Sequence, residues 1–213
     1  MILTAFKKDL ILIRRSLPMV LLQYYLTLLV STVLLPSVTA IFPSLGYLLC
    51  CSITTGLIFN LLFEADSKYH IHALLFSTPM TPSSILYSRY LIGYGTWISS
   101  TLLYTLPGFI PSVRRSFPPL SLHMLAGGLL LTTILCALLV PLHMLLEETK
   151  ASLLGMIVLL PAFLLVFLLC EAASHFFAHL HYPVLILILI PVAALVTCLS
   201  SRFTLPRLKA KEY

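Results

Sequence analysis

The chain has 213 residues, 60% of them hydrophobic and 9% charged, with a formal net charge of +6. A soluble domain carries roughly 25% charged residues, so this composition excludes one: there is too little polar surface to cover it. Apolar stretches of about 20 residues are candidate membrane spans, and this length holds about six with short connections and no separate soluble domain. In a membrane protein the basic residues chiefly set orientation, so the positive charge predicts no nucleic-acid partner. Lys7, Lys8, Arg14 and Arg15 interrupt the first residues and no small-residue cleavage site follows, so a cleavable signal peptide is not expected.

In chain order, residues 2–15 come first. Ile2, Leu3, Phe6, Leu10 and Ile13 recur at helical spacing on one face, and Lys7, Lys8, Arg14 and Arg15 lie mostly off it. That pattern predicts a helix in the membrane interface with its cations at anionic headgroups; the plainer alternative is a basic flank of the first span. Spans are predicted at about 17–35, 41–63, 84–109, 122–146, 151–170 and 183–200, with Pro141, Pro161 and Pro191 inside the last three. The expected organisation is a single all-α membrane domain over 1–213. Within it, 1–16 form the interfacial helix, 17–200 a six-span bundle and 201–213 a basic tail.

With both termini on one side, that side holds eleven of the 13 basic residues, and the other side only Arg114 and Arg115. By the positive-inside rule this predicts cytoplasmic termini and an even number of spans. The five cysteines, Cys50, Cys51, Cys136, Cys170 and Cys198, lie in apolar stretches without a CxxC and read as small hydrophobes.

The longest polar interruption is residues 64–91, between spans 2 and 3 and therefore cytoplasmic. Asp66 and Ser67 are suited to capping a short helix over 68–76, with Tyr69, His72, Leu75 and Phe76 on one face. Ser77-Thr78-Pro79 ends it. Thr81 then caps a new helix with Pro82 at its first position, running into span 3 through Arg89. Such a helix lying across the cytoplasmic face is placed to dock a partner; the alternative is a plain connecting loop.

Glu64, Leu74-Leu75, Ser77-Thr78-Pro79-Met80-Thr81 and Ile85-Leu86-Tyr87-Ser88-Arg89-Tyr90-Leu91 follow the basic N-terminal segment and two spans in a set order. This order resembles small ABC-2 type transporter permeases, in the branch that includes bacterial phenol-soluble-modulin and bacteriocin exporters. The likeness covers the first half; the second half agrees in span count and length. Thr81-Pro82-Ser83-Ser84 departs from the basic or Ser/Thr-rich run usual there. The resemblance implies a six-span permease subunit of an ATP-driven exporter, working as a dimer with a separate ABC ATPase that binds ATP and Mg. No GxxxxGK[ST] occurs in this chain, and no catalytic role of its own is expected. The implied ATPase-coupling residues are Glu64, Asp66, Lys68, Tyr69, His72, Leu74, Leu75 and Phe76, with Glu147 and Glu148 as a second contact.

Three other constellations bear on function. Glu171, His175 and His179 fall four apart and match a zinc or copper site in ligand type, although an outer interfacial helix with solvated histidines explains them as well. Glu147-Glu148 with His175 and His179 resembles a CAAX-type membrane protease, but position 152, where that family has Arg, is Ser152, and the two groups fall on opposite sides of the membrane. No Asp, Glu, Lys or Arg lies deep in a span, which argues against an ion- or proton-coupled carrier. An apolar cargo path lined by Tyr24, Tyr25, Phe59, Tyr94, Trp97 and Tyr104 would suit an amphipathic peptide or other amphiphile; packing or an interfacial aromatic belt would account for the same residues. The sequence thus predicts an exporter permease, or else a non-transporting assembly or immunity protein that binds a partner through the same segment.

Overall fold

A computed structural model of the chain describes residues 2–30, 42, 44–68, 81–109, 120–146, 148–176 and 182–211. Among these there are six α-helices and one short 3-10 turn. The helices are α1 (Ile2–Leu29), α2 (Ser44–Lys68), α3 (Pro82–Thr105), α4 (Leu122–Leu145), α5 (Glu148–Phe176) and α6 (Tyr182–Lys211); the 3-10 turn, Leu106–Phe109, extends α3. Apolar surroundings demand that backbone N–H and C=O groups be satisfied within the segment, and long helices do this. Among the described residues, three stretches are long and apolar enough to cross a membrane: Ser44–Asp66, Leu122–Leu145 and Ile188–Leu208. Shorter apolar stretches, Ser16–Leu29 and Ile157–Leu169, lie within α1 and α5.

The helix starts follow their local chemistry. Thr81 has extended backbone (φ −78°, ψ 143°) and Pro82 opens α3, where a missing N–H costs nothing. The Thr81 hydroxyl does not cap the helix but lies 3.1 Å from Ser83 Oγ. At α4 the cap is made: Ser121 Oγ accepts from the Met124 N–H at 3.3 Å.

Several boundaries differ from the sequence expectation, α5 among them, which spans Glu148–Phe176 where 151–170 is expected. Residues 2–29 form one helix running through Pro18, with no break near residue 16. Helix α2 continues past Glu64 to Lys68, so Asp66 and Ser67 sit in its last turns and do not start a new helix. Helix α6 runs through Pro191 and Pro206 to Lys211, taking up most of the expected tail. Prolines are tolerated in such helices because neighbouring groups re-satisfy the freed carbonyls. The short helix expected over 68–76 falls almost wholly outside the described residues.

Helix α4 is the centre of the bundle, packing against α2, α3, α5 and α6, while α1 packs on α2 and α3. The core holds Tyr24, Tyr47, Leu48, Phe59, Leu131, Leu135 and Cys136. Two glycines set the helix spacing. A Cβ on Gly93 would lie 2.1 Å from Cys136 Sγ, and one on Gly128 would lie 2.7 Å from the Tyr47 ring. Small residues at such points let helices approach closely where lipid provides no hydrophobic drive between them.

Contacts fix the relative directions of the helices. The N-terminal halves of α1 and α3 meet the C-terminal ends of α2 and α4 through Asp9, Arg89, Asp66, Phe63 and His143. At the opposite end Tyr24 bonds the Ser100 carbonyl, and Ser44 donates to Glu171. Successive helices therefore alternate in direction.

Candidate functional site, a buried ion cluster beside residues 69–80

Several polar groups of helix α3 bond its neighbours. Thr96 Oγ1 lies 3.3 Å from Thr55 on α2, Tyr94 reaches Thr133 on α4 at 3.5 Å, and Tyr90 donates to Ser200 on α6 at 2.7 Å. Ser200 in turn donates to the Ala137 carbonyl on α4 at 2.9 Å. A buried hydroxyl without a partner would cost free energy, so each of these contacts fixes a helix pair.

The strongest of these links is ionic. Arg89, in the third turn of α3, is fully enclosed at 0% exposure. Its Nη2 donates to Asp66 Oδ2 at the end of α2 and lies 3.4 Å from Asp9 Oδ1 on α1. Ser88 Oγ donates to Asp9 Oδ2 at 3.1 Å. Lys8, partly exposed, brings its Nζ to 3.8 Å from Asp66 Oδ1 and 4.0 Å from Asp9 Oδ1. The guanidinium carbon lies 5.4 Å from the centre of the Phe63 ring, and that ring stacks on His143 of α4 at 4.0 Å.

Two carboxylates, a guanidinium and an ammonium make the cluster neutral. A buried ion pair adds little net stability against a well-packed apolar replacement, but removing one partner strands a charge and costs about 3–5 kcal/mol. Asp9, which lies before the apolar stretch of α1, feels this balance. Burial pushes its carboxyl above the ordinary carboxylate value, while Arg89 and Lys8 pull it back. The cluster therefore favours one arrangement of α1, α2 and α3 over any that separates its members.

The other sequence candidates are placed as follows. Glu64 is exposed, one turn before Lys68, the last residue of α2. Tyr69, His72, Leu74, Leu75, Phe76 and Glu147 lie outside the described residues, and Glu148 is the first residue of α5. Tyr24, Phe59 and Tyr104 fill the core with Trp97 packed against them. Tyr24 donates to the Ser100 carbonyl at 2.9 Å, and Tyr104 meets the Tyr47 ring edge-on at 5.3 Å. Tyr94 is half-buried and Tyr25 faces outward. Glu171 accepts from Ser44, His175 lies in α5, and His179 is outside the described residues. Among the described residues no group of three His, Cys, Asp or Glu is placed to hold a metal. Cys50, Cys51 and Cys136 are buried free thiols and Cys198 is an exposed one.

Asp9 was missed by pattern reading, because helical periodicity assigns the first residues to an apolar and a basic face and has no place for one acid. The available signal was its isolation: it is the sole acidic residue before Glu64.

The geometry described so far is that of a helical membrane protein with polar cross-links between its helices and an ion cluster at one end. The sequence model of the ABC-2 family transporter proteins matches residues 5–205. The chain belongs to this family. The match takes in Asp9, Asp66 and Arg89 and reaches into all six helices. The protein is accordingly a multi-pass membrane component of the ABC transporter permease class, which transports rather than catalyses and normally works with an ABC ATPase. No curated protein and no solved structure matches the chain.

Proposed function

We propose that this ABC-2 permease is the membrane subunit of an ATP-driven exporter that moves an amphipathic peptide or other amphiphile out of the cell. In this reading it sits in the cytoplasmic membrane with both termini inside. It works as a dimer of permeases with two copies of a separate ATPase, which bind the ATP and Mg. The ATPase docks on the segment from Glu64 to Phe76, with Glu147 and Glu148 as its second contact.

The observation that carries the reading is the ion cluster at the two helix ends bordering residues 69–80. A partner that pushes on this segment pushes on the end of α2 and the start of α3 together. Arg89 ties those ends through Asp66 and ties both to α1 through Asp9, so the load is shared by three helices. The scarcity of ionisable groups along the middle of the helices supports an external source of energy. The amphiphilic cargo and the outward direction rest on the apolar interior and on the sequence resemblance.

The test is Leu74→Asp with Leu75→Asp in the full chain, co-expressed with the candidate ATPase. Loss of co-purification and of ATPase stimulation is expected. Unchanged association would remove the docking assignment. Intact association without any ATP-dependent transport by the wild type would favour the non-transporting partner-binding protein.

A further inference from the structure

Of the three stretches long and apolar enough to cross a membrane, the one in α6 is the least enclosed. Its inner stripe is narrow: Ala193, Ser201, Thr204 and Leu208 are buried, with Ser200 joined to Tyr90 and Ala137. The opposite stripe is apolar and then turns cationic. Ile188, Val192, Leu195 and Leu199 are exposed at 57%, 42%, 60% and 60%; Arg202 and Phe203 continue this face, and Arg207, also exposed, lies one turn beyond Phe203 at its edge. Leu199 and Arg202 are about 4.5 Å apart along the axis at 1.5 Å per residue, so the change from apolar to cationic takes less than one turn.

Neither arginine has an acidic partner among the described residues. Arg207 instead lies over the Phe203 ring, its guanidinium carbon 3.7 Å from the ring centre. This contact holds one cation in place while leaving its N–H groups open to an acceptor. From residue 182 to residue 211 there is no Asp or Glu at all.

We propose that this end of α6 binds an anionic phospholipid of the surrounding bilayer. Arg202 and Arg207 take the phosphate and the negative headgroup, Phe203 sits at headgroup level, and Leu195 and Leu199 hold an acyl chain. The headgroup supplies the negative charge that the helix itself lacks. A second copy of the permease is the poorer occupant: a two-fold interface across this face, with its axis along the membrane normal, would bring two arginine pairs together with no acid to separate them. The proposal rests on the membrane reading of the chain and not on the ATPase.

The test needs no ATPase or nucleotide. Thermal unfolding of the purified full chain is followed in detergent supplemented with phosphatidylglycerol or with phosphatidylcholine, for the wild type, Arg202→Gln/Arg207→Gln and Arg202→Lys/Arg207→Lys. Phosphatidylglycerol is expected to raise the wild-type midpoint above that in phosphatidylcholine by about 2–4 °C. The glutamine pair is expected to lose that difference while matching the wild type in phosphatidylcholine, and the lysine pair to keep part of it. Equal stabilisation by both lipids, or a difference that survives in the glutamine pair, would overturn the proposal. So would an equal shift given by inorganic phosphate, which would make the ligand a free anion. Efficient cross-linking of Leu199→Cys between copies in phosphatidylglycerol would overturn it in favour of a dimer face.

Discussion

Arg89 shows how much one side chain can determine in a bundle of this composition. It is enclosed, faces two carboxylates from different helices, and has Phe63 beside it. Arg89→Gln strands Asp9 and Asp66 with only the half-exposed Lys8, and should cost about 3–5 kcal/mol. Arg89→Lys should recover part of that loss, because a single nitrogen, Nη2, makes the contacts to both Asp66 and Asp9, while Nε and Nη1 make no hydrogen bond among the described residues. Thermal unfolding in a single detergent would rank the three proteins. Tyr90→Phe is a milder test one residue on. It removes a hydrogen bond to Ser200 but leaves Ser200 donating to Ala137, so the same measurement should show a loss of about 1 kcal/mol. Sequence spacing put Arg89 near the start of a span. It did not show that the side chain is enclosed, because its partners are 80 and 23 positions away and no local period connects them.

Helices are the scale at which the sequence was most legible. Apolar runs bounded by prolines and charges located α4 within a residue of its bounds and placed Pro82 at the first position of α3. The ends of α1, α2 and α6 were less legible for one reason: charge and proline end helices in water, but each of these three helices continues past such a residue. At α2 the compensation is visible, since Asp66 is held by Arg89 after the apolar run has stopped. The closeness of α3 and α4 was not legible either. It depends on Gly93 lying against Cys136, 43 positions apart, in a space with no room for a Cβ. Gly93→Ala should therefore destabilise by about 1–3 kcal/mol through overpacking. In a Cys136→Ala background its added cost should shrink, and a double-mutant cycle on thermal unfolding would measure the coupling. Additive effects would mean that α3 and α4 shift apart without resistance.

For the whole molecule, the ionic cross-links among the described residues gather at one end of the bundle. Asp9, Asp66 and Arg89 join α1, α2 and α3, Phe63 stacks on His143 to bring in α4, and Tyr90 with Ser200 adds α6. That end borders residues 69–80, where the resemblance puts the docking of an ATPase. A membrane transporter with few charges along its helices needs work delivered from outside, and a rigid end is suited to receive it. The central claim is that the ion cluster passes a push on residues 69–80 into the bundle. It is tested most directly by ATPase stimulation with Asp66→Asn/Arg89→Met, which removes one charge of each sign and leaves Asp9 opposite Lys8 in a still neutral cluster. The variant should fold and still co-purify with the ATPase. Its stimulation of ATP turnover should fall about 5-fold or more, the low end of a typical coupling between sites. A folded, ATPase-bound variant that stimulates turnover as fully as the wild type would contradict the account.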